Sequence, residues 1–387
     1  MKKKIAILGS TGSIGQSILK IIARDKNNFK IELVTANKNY KEILNQAKKY
    51  NIKNIIITDK KYFHIAKLKK NKKKINIYNN FDSLKKIFPK KIDYVMSSIV
   101  GIEGLQPTLN IIKYTKKIAI ANKESIICAW NLISRKLKEY NTEFIPVDSE
   151  HFSIWYALKN KNIHNVNKIY LTASGGSLLK TPYSQYKNLK LNQILKHPNW
   201  RMGKKITIDS SNLMNKVFEI IEAKKIFNLD YNKLSILIHP KSYLHAIIKF
   251  NDGMIKLIAH DTTMEIPIFN TLYSENYKGI KTKKLNLQNL NNLNLTKVQK
   301  IKFPLINILK KLPKNHSLFE TVLVASNDEL VKLFLKKKIN YSDISKIMIR
   351  FISQREFQKY KKIQPKSIKD IIKLNEYVRF KINSKHI

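Results

Sequence analysis

Lys4-Ile5-Ala6-Ile7-Leu8-Gly9-Ser10-Thr11-Gly12-Ser13-Ile14-Gly15 is the stretch that decides the fold of the first part of the chain. Its apolar start predicts a short strand, and residues 16–23 predict a helix with apolar side chains on one side. Glycines between a strand and a helix let the backbone approach a pyrophosphate, and the helix N-terminus stabilises the negative charge of that group. The order of strand, glycine turn and helix therefore predicts a dinucleotide-binding site.

The end of the next predicted strand bears on which dinucleotide binds. This strand covers residues 31–36 and ends in Asn37-Lys38-Asn39. An acidic residue at such a strand end would hold the ribose 2′-hydroxyl of NAD, whereas a cation there accommodates the 2′-phosphate of NADP. Lys38 therefore favours NADPH.

Predicted strands and helices continue to alternate beyond this point. The further strands cover residues 54–58, 74–78, 94–98, 118–121 and 144–147. This alternation predicts an α/β fold with an N-terminal Rossmann-like, doubly wound parallel sheet. Because ligands bind at the C-terminal ends of the strands in such sheets, Asn122, Lys123 and Glu124 are candidate binding residues. An ordinary helix cap followed by a surface lysine would give the same pattern.

Two carboxylates follow the last of these strands, in Val147-Asp148-Ser149-Glu150-His151. Residues two apart on an extended or tightly turning backbone point to one side, so Asp148 and Glu150 would repel each other unless a cation lay between them. Closely spaced carboxylate oxygens suit Mg²⁺ or Mn²⁺ and leave positions for water or substrate. The alternative interpretation is a solvated loop, in which this spacing is commonplace.

Small and polar residues later in the chain indicate a phosphate site. Ala173-Ser174-Gly175-Gly176 follows a predicted strand at 169–172, and its small residues expose amide and hydroxyl donors. The segment His197-Pro198-Asn199-Trp200-Arg201-Met202-Gly203 combines an aromatic residue with a hinge-capable glycine, a composition typical of a lid.

A helix is predicted from Ser211 onward, with Asn215 and Glu219 four residues apart and therefore on one face. Ser210, Asn215 and Lys216 are candidate phosphate ligands near the start of this helix. Glu219 is a candidate third metal ligand beside the two carboxylates described above.

The rest of the chain predicts further domains. Residues 234–250 and 254–259 alternate as strands, and residues 306–312, 317–336 and 341–350 have helical periodicity. We expect a Rossmann-like NADPH-binding domain at 1–147 and an α+β catalytic domain that binds metal and substrate at 148–273. A linker at 274–299 and a C-terminal helical bundle at 300–387 would follow.

The formal net charge of +47 at pH 7 is the most unusual feature of the composition. A charge of this size favours nucleic acid or another anionic partner. The lysines are spread from Lys2 to Lys385, however, whereas a nucleic-acid site would be a patch or stripe. We interpret most of the charge as compositional drift on solvated surfaces and expect no specific nucleic-acid partner. The charge still attracts small anionic substrates.

The sequence also limits the compartment and the kind of metal site. Cys128 is the single cysteine, which excludes an intrachain disulfide and a zinc site made of cysteines and fits a reducing compartment. No apolar stretch approaches the roughly 20 residues of a membrane span. The apolar run before Gly9 is too short for a secretion signal. We expect a cytoplasmic protein that does not bind a membrane.

Seven motifs together resemble the 1-deoxy-D-xylulose 5-phosphate reductoisomerase family, an NADPH-dependent family of the non-mevalonate isoprenoid pathway. They occur in the family's order at residues 9–15, 121–125, 146–151, 174–176, 197–203, 214–219 and 239–240. The resemblance implies a homodimer whose chains have a Rossmann domain, a catalytic domain and a C-terminal helical domain. It also implies conversion of 1-deoxy-D-xylulose 5-phosphate to 2-C-methyl-D-erythritol 4-phosphate with NADPH and Mg²⁺ or Mn²⁺.

The resemblance further implies roles for individual residues. NADPH would be contacted by Thr11, Gly12, Ser13, Ile14, Asn37, Lys38, Asn39, Asn122, Glu124 and Gly203. The metal would be held by Asp148, Glu150 and Glu219, which with Lys123 form the catalytic set. The substrate would be bound by Lys123, Ser149, Glu150, Glu219, Ser174, His197, Ser210, Asn215 and Lys216, with Trp200 closing over it.

Five positions differ from the usual pattern of the family. The family usually has glycine at the positions of Asn37, Ala173 and Val217 and glutamate at that of Asp328, and Arg201 is unusual within the mobile loop. These differences bear on the rate and the stability more than on the reaction type.

Two other functions are compatible with parts of the sequence. The first is a Rossmann-class NADPH-dependent dehydrogenase that needs no metal, which activity under full chelation would favour. The second is a basic nucleic-acid-binding protein, which would need tight and steeply salt-dependent binding of DNA or RNA.

Overall fold

The structure is a computed structural model that describes residues 1–69, 75–159, 161–200, 202–273 and 279–384. Its strands are β1 Lys3–Leu8, β2 Phe29–Ala36, β3 Asn54–Ile57, β4 Asn76–Tyr78, β5 Ile92–Ser97, β6 Thr115–Ile120, β7 Glu143–Pro146, β8 Val166–Ala173, β9 Leu234–Ile238, β10 Leu244–Phe250, β11 Ile255–Ala259 and β12 Thr296–Lys297. Its α-helices are α1 Ser13–Ala23, α2 Tyr40–Lys49, α3 Lys60–Leu68, α4 Leu84–Ile87, α5 Leu105–Ile111, α6 Lys123–Glu139, α7 Ser149–Leu158, α8 Leu191–Ile194, α9 Lys204–Ser211, α10 Met214–Phe227, α11 Glu265–Leu272, α12 Leu287–Asn291, α13 Phe319–Leu335, α14 Tyr341–Ile352, α15 Arg355–Gln358 and α16 Ile368–Ser384.

The chain forms two compact units. The first unit contains Met1–Ser125, Leu132–Asp148 and Met264–Lys281. The second unit contains Ile126–Asn131, Ser149–Thr263 and Thr282–Ile387. The three domains and the linker expected from the sequence divide the chain by function, and their limits stay a prediction.

The first unit is built on a seven-stranded sheet in the order β4-β3-β2-β1-β5-β6-β7. All neighbouring strands are parallel, which confirms the predicted doubly wound sheet. The strand predicted at 74–78 corresponds to β4, although Lys74 lies outside the described residues. The strand order reverses between β1 and β5, so the loops after these two strands lie where such sheets bind ligands.

The core of the first unit lies between this sheet and its helices. Helix α1 buries Ile18, Leu19, Ile21 and Ile22, the apolar side predicted from the sequence. Helix α11 adds Ile268, Phe269 and Leu272 to the same core, although it lies far along the chain. Each large apolar side chain buried in this way contributes about 1.5–3 kcal/mol to stability.

The second unit contains a five-stranded mixed sheet in the order β11-β10-β8-β9-β12. Strand β8 is parallel to β9 and antiparallel to β10, and β11 is antiparallel to β10. These strands confirm the second sheet predicted at 234–250 and 254–259. Strand β12, within the expected linker, pairs antiparallel with β9 through Thr296 and Lys297. Part of that linker therefore completes the sheet.

The helix predicted from Ser211 onward is wrong in its starting point. Ser211 is the last residue of α9, and α10 begins only at Met214. Between them Leu213 has φ 61°, a left-handed conformation that ends one helix before the next begins. The side chain of Asn212 accepts a hydrogen bond from the Met214 amide at 2.9 Å, which stabilises this break.

The C-terminal part of the second unit is helical, as predicted. A 3₁₀ helix at Pro304–Lys311 precedes α13 and α14, which cover the predicted helical segments. Helices α15 and α16 were not predicted. Within the described ranges, every helix is too short or too polar to cross a membrane.

Candidate active site

The glycine turn of the first unit joins β1 to α1 by a close approach of backbone to backbone. A Cβ at Gly15 would lie 2.5 Å from the Gly9 carbonyl oxygen and from the Ser10 Cα, so glycine alone fits there. Gly12 precedes the first turn of α1, and Gly12 and Ser13 are exposed. The N-terminus of α1 therefore presents its amides to solvent, as the binding of a pyrophosphate requires.

The segment after β2 contains three residues predicted to contact NADPH, of which Lys38 was predicted to select it over NADH. Asn37 donates a hydrogen bond to the Thr58 hydroxyl at 2.8 Å, and Asn39 caps α2 by accepting from the Glu42 amide at 3.3 Å. Lys38 lies between them and is exposed. The asparagines thus hold the backbone of this segment and leave the Lys38 ammonium on the surface.

Asn122 is buried at the end of β6, and its side-chain amide is used within the first unit. It donates to the Gly101 carbonyl at 2.7 Å and accepts from the Ser125 amide at 2.7 Å, which caps α6. Glu124 in the first turn of α6 is also buried. Asn122 therefore caps α6, which was the alternative interpretation of this motif. It lies at the edge of the sheet where ligands bind in such folds.

Lys123 and Asp148 form an ion pair in the first unit. The Lys123 ammonium lies 3.0 Å from an Asp148 carboxylate oxygen, and both side chains are largely buried. Lys123 begins α6 after β6, and Asp148 follows β7, the parallel neighbour of β6. Parallel neighbours end at the same edge of a sheet, so two residues predicted from separate motifs come together.

The second unit contains a buried charged centre at Lys216. Its ammonium lies 2.6 Å from the Glu150 carboxylate and 2.6 Å from the Thr172 carbonyl, and it also pairs with Glu219. Burial alone would lower the pKa of Lys216, but the two carboxylates outweigh it and raise this pKa above its ordinary value. The ligand oxygens of Glu150 and Glu219 lie within 4.8 Å of each other, with a cation between them.

Two helices supply these charges. Glu150 lies in the first turn of α7, where its carboxylate accepts a hydrogen bond from the Ser149 hydroxyl at 2.5 Å. Asn215, Lys216 and Glu219 lie in the first two turns of α10, and the Asn215 amide donates to the Glu219 carboxylate. The i, i+4 spacing predicted from the sequence therefore places Asn215 beside Glu219.

His151 holds these two helices together and was given no role from the sequence. It is fully buried, and its Nε2 lies 2.9 Å from the Glu219 carbonyl oxygen. Its Nδ1 lies 3.6 Å from the Glu222 carboxylate, also on α10. The signal available in the sequence was its position directly after Glu150.

Ser174, His197 and Ser210 converge on one point. The His197 Nε2 lies 3.0 Å from the Ser174 hydroxyl and 3.1 Å from the Ser210 hydroxyl. The His197 Nδ1 accepts hydrogen bonds from the amides of Asn199 at 3.2 Å and Trp200 at 3.0 Å. Since Nδ1 accepts, Nε2 carries the ring proton of the neutral imidazole.

The electrostatics of this hydroxyl–imidazole cluster favour an uncharged ring. Burial lowers the pKa of His197 to about 4, so the imidazole is neutral at physiological pH. Ser174 accepts from the Gly176 amide at 3.0 Å as well as from the imidazole, which leaves its own hydroxyl proton to donate. Hydroxyl donors arranged in this way suit an anion such as phosphate.

Gly176 allows the Ser174 loop to approach α9. It has φ +68°, and a Cβ there would lie 2.5 Å from the Ser211 Cα and 2.7 Å from the Ser210 carbonyl oxygen. A side chain at this position would therefore push the loop away from Ser210. The predicted small-residue motif is needed for this contact.

Trp200 lies against a pair of stacked histidines that the sequence did not single out. Its ring is 6.1 Å from that of His245 in an edge-on arrangement, and His245 stacks on His260 at 3.7 Å. Asn199 donates to the Pro240 carbonyl at 2.6 Å and fixes the preceding backbone. Gly203 at the end of this segment is exposed, and a Cβ there would meet nothing within 4 Å.

Comparison with known proteins bears on what this geometry does. A family model described as 1-deoxy-D-xylulose 5-phosphate reductoisomerase matches residues 5–130. Two models of C-terminal domains of the same enzyme match residues 144–227 and 261–381. The 1-deoxy-D-xylulose 5-phosphate reductoisomerase of Pelagibacter ubique (strain HTCC1062) is 58% identical over 385 residues, which is 99% of each chain.

This chain belongs to the 1-deoxy-D-xylulose 5-phosphate reductoisomerase family.

More distant reductoisomerases are similar to this chain in sequence or in solved structure. The protein of Sulfurihydrogenibium sp. (strain YO3AOP1) is 35% identical over 92% of each chain. A reductoisomerase solved with NADPH, fosmidomycin and magnesium has a TM-score of 0.90 at 29% identity and covers 99% of this chain and 98% of its own. The enzyme of Zymomonas mobilis, solved with NADPH, has a TM-score of 0.87 at 30% identity over 98% of both chains.

The positions that differ from the family's pattern have definite places in the structure. Ala173 ends β8 and is buried, and Val217 is fully buried on α10. The Asn37 side-chain amide donates a hydrogen bond to the Thr58 hydroxyl, as described above. Asp328 pairs with two cations of the second unit. Arg201 lies outside the described residues.

Proposed function

We propose that this chain is an oxidoreductase that converts 1-deoxy-D-xylulose 5-phosphate to 2-C-methyl-D-erythritol 4-phosphate. The reaction is a carbon-skeleton rearrangement followed by reduction with NADPH, and it belongs to the non-mevalonate isoprenoid pathway. One observation carries this proposal beyond family membership. A buried cation, the Lys216 ammonium, lies between the carboxylates of Glu150 and Glu219 in the second unit.

Asp148, Glu150 and Glu219 would hold Mg²⁺ or Mn²⁺. The fit rests on chemistry, because Glu150 and Glu219 already share one cation and Asp148 is two residues from Glu150. Carboxylate oxygens are the ligands that these ions prefer. When bound, the ion supplies Lewis-acid polarisation of the ketone and hydroxyl oxygens of the substrate.

The glycine turn and the neighbouring strand ends would bind NADPH. The proposed contacts are Thr11, Gly12, Ser13, Ile14, Asn37, Lys38, Asn39, Asn122, Glu124 and Gly203. The exposed N-terminus of α1 would face the pyrophosphate, and the exposed ammonium of Lys38 would neutralise the 2′-phosphate. When bound, NADPH supplies the hydride.

Ser174, His197, Ser210, Asn215 and Lys216 would hold the phosphate of the substrate. The neutral His197 fixes the two serine hydroxyls through Nε2, so that their protons are directed to the anion. Lys216 adds a full positive charge. Lys123 and Ser149 would contact the oxygenated carbons, and Trp200 would exclude water above them.

We also propose a homodimer and a cytoplasmic location. Strand β11 is an edge of the five-stranded sheet, and Ile255 and Leu257 on it are 52% and 50% exposed. An apolar edge strand is a ready surface for a second copy, because it offers both hydrogen-bonding groups and apolar area. The single buried cysteine suits a reducing compartment.

The deciding experiment follows NADPH absorbance with 1-deoxy-D-xylulose 5-phosphate as substrate, with and without Mg²⁺ or Mn²⁺. We expect oxidation of NADPH that requires the metal. Oxidation that survives complete chelation would identify a dehydrogenase that needs no metal. A folded protein that binds NADPH but does not oxidise it with this substrate would refute the proposal.

A further inference from the structure

We propose that Asp209 and Asn327 are positioning residues through which the C-terminal helices fix the Ser210 hydroxyl for the phosphate of the substrate. This inference rests on the proposed function of Ser210. Asp209 is the residue before Ser210 on α9 and is only 2% exposed. Its carboxylate accepts a hydrogen bond at 2.8 Å from the side-chain amide of Asn327, a fully buried residue of α13.

A second set of contacts extends this link to α16. The Lys205 ammonium lies 3.2 Å from Asp209 and 3.0 Å from Asp328, which follows Asn327 on α13. The Arg379 guanidinium of α16 lies 2.9 Å from the same Asp328 carboxylate. Carboxylates and cations alternate along these contacts, and Arg379 also pairs with Glu329 at 3.5 Å. Asp209 and Asp328 are largely buried while Lys205 and Arg379 are partly exposed, so each of these two carboxylates keeps a charged partner that favours one geometry.

The residue after Ser210 is anchored as well. The Ser211 hydroxyl lies 2.9 Å from the Tyr341 hydroxyl of α14, and both groups are buried. Burial raises the pKa of Tyr341 above its ordinary value, so its hydroxyl keeps its proton. Ser210 therefore lies between two neighbours that are tied to different helices of the C-terminal bundle.

Helix geometry explains how the neighbours can be held while Ser210 stays available. Successive side chains on an α-helix point about 100° apart, so Asp209 and Ser211 can face the C-terminal helices while Ser210 faces His197. The Ser210 hydroxyl lies 3.1 Å from the His197 Nε2. A small rotation of α9 would move this hydroxyl away from the imidazole and from a bound phosphate.

The test exchanges the two groups. Asn327→Asp places two carboxylates against each other, and Asp209→Asn weakens the pairing with Lys205. The double variant restores an amide opposite a carboxylate in the reverse order. We expect each single variant to raise the KM for 1-deoxy-D-xylulose 5-phosphate by about tenfold and to weaken competition by inorganic phosphate equally. We expect little change in kcat or in the KM for NADPH, and recovery in the double variant.

Two further variants separate positioning from general stability. Tyr341→Phe removes only the hydrogen bond to Ser211 and should raise the same KM by about threefold. Glu320→Gln is the matched control, because Glu320 is buried on α13 and its ion pair runs to Lys225, outside the contacts of Asp209 and Asp328. It should lower the melting temperature without changing the KM for the phosphorylated substrate.

Calorimetry with inorganic phosphate measures the same effect without turnover. If the wild-type protein binds phosphate but shows no NADPH oxidation with the proposed substrate, the proposed function fails while the positioning role is still tested by the phosphate affinities. Single variants that lose melting temperature but keep wild-type phosphate affinity would overturn the positioning role. A double variant as impaired as the single variants would overturn it too.

Discussion

The glycine turn of the first unit and the charged centre of the second unit are built in different ways. The turn is local, since Gly9 and Gly15 are six positions apart and the close approach is made by backbone atoms. The charged centre is long-range, since Lys216 and Glu150 are separated by 66 positions and interact only through side chains. The turn should therefore be sensitive to a side chain added at one of its glycines. The charged centre should be sensitive to a substitution that removes a charge but keeps the shape of the side chain.

The largest effect is expected for Glu219→Gln, which keeps the shape and removes one charge. We expect metal-dependent turnover to fall by at least about 1000-fold, because a carboxylate that would hold the ion is lost. NADPH oxidation at saturating Mg²⁺ measures the loss, and circular dichroism checks the fold. Glu320→Gln, which substitutes a buried glutamate of α13 away from this centre, is the control for the burial of an amide. If Glu219→Gln kept metal-dependent turnover, Glu219 would not be a ligand of the metal.

Gly15→Ala tests the turn with one added carbon. We expect the affinity for NADPH to fall by about 100-fold, because the new Cβ would lie 2.5 Å from backbone atoms and displace the turn. Fluorescence titration of NADPH measures the affinity. Gly12→Ala is the comparison, since its Cβ would meet nothing nearer than 3.4 Å and should leave the melting temperature unchanged. Equal melting temperatures for the two variants would contradict the steric explanation.

Lys216→Met removes the cation of the charged centre. We expect Mg²⁺ to bind about tenfold more tightly, because the ammonium competes for the carboxylates of Glu150 and Glu219. The same variant should bind inorganic phosphate more weakly, since it lacks a proposed ligand. Calorimetry with each ion separates the two effects. Lys225→Met, which removes another buried lysine of α10, should leave Mg²⁺ affinity unchanged. Weaker Mg²⁺ binding in Lys216→Met would show that the lysine and the metal do not compete.

The smallest effect is a pH dependence of stability that comes from His197. Its pKa in the folded chain is about 4, below the ordinary value of 6.5, because burial disfavours the charged ring. As the pH falls, His197 gains a proton in the unfolded chain at a higher pH than in the folded chain. The contribution of the neutral imidazole to the free energy of unfolding is therefore complete above about pH 6.5 and is lost towards about pH 4.

Urea denaturation at about pH 7 and about pH 5 measures the effect of His197. The loss of stability between these values should be smaller in His197→Gln than in the wild-type protein. An equal loss in both proteins would assign the pH dependence to other groups.

The same contrast explains how much could be predicted from the sequence. The first sheet and its glycine turn were predictable because alternating apolar runs and the glycines between them act over a few residues. The candidate residues Lys123 and Asp148 were found separately, and their ion pair follows from the parallel pairing of β6 with β7. The roles proposed for individual site residues stay predictions.

Other features depend on interactions that no local pattern records. Leu213 adopts a left-handed conformation that leucine rarely takes, so the break between α9 and α10 was missed. Strand β12 has only two residues in a polar segment and forms because β9 offers a free edge. The position of Lys216 between two carboxylates depends on side-chain conformations, and no residue spacing fixes those.

The order in which the first unit is completed has a consequence for synthesis. Its core needs Ile268, Phe269 and Leu272 of α11, which belong to the segment Met264–Lys281. A ribosome releases the chain from its N-terminus, so this core stays incomplete until Ser149–Thr263 has been made. That segment of the second unit is therefore translated as an insertion within the first. A fragment that stops at Asp148 would expose the unfilled core to water and should aggregate instead of folding alone.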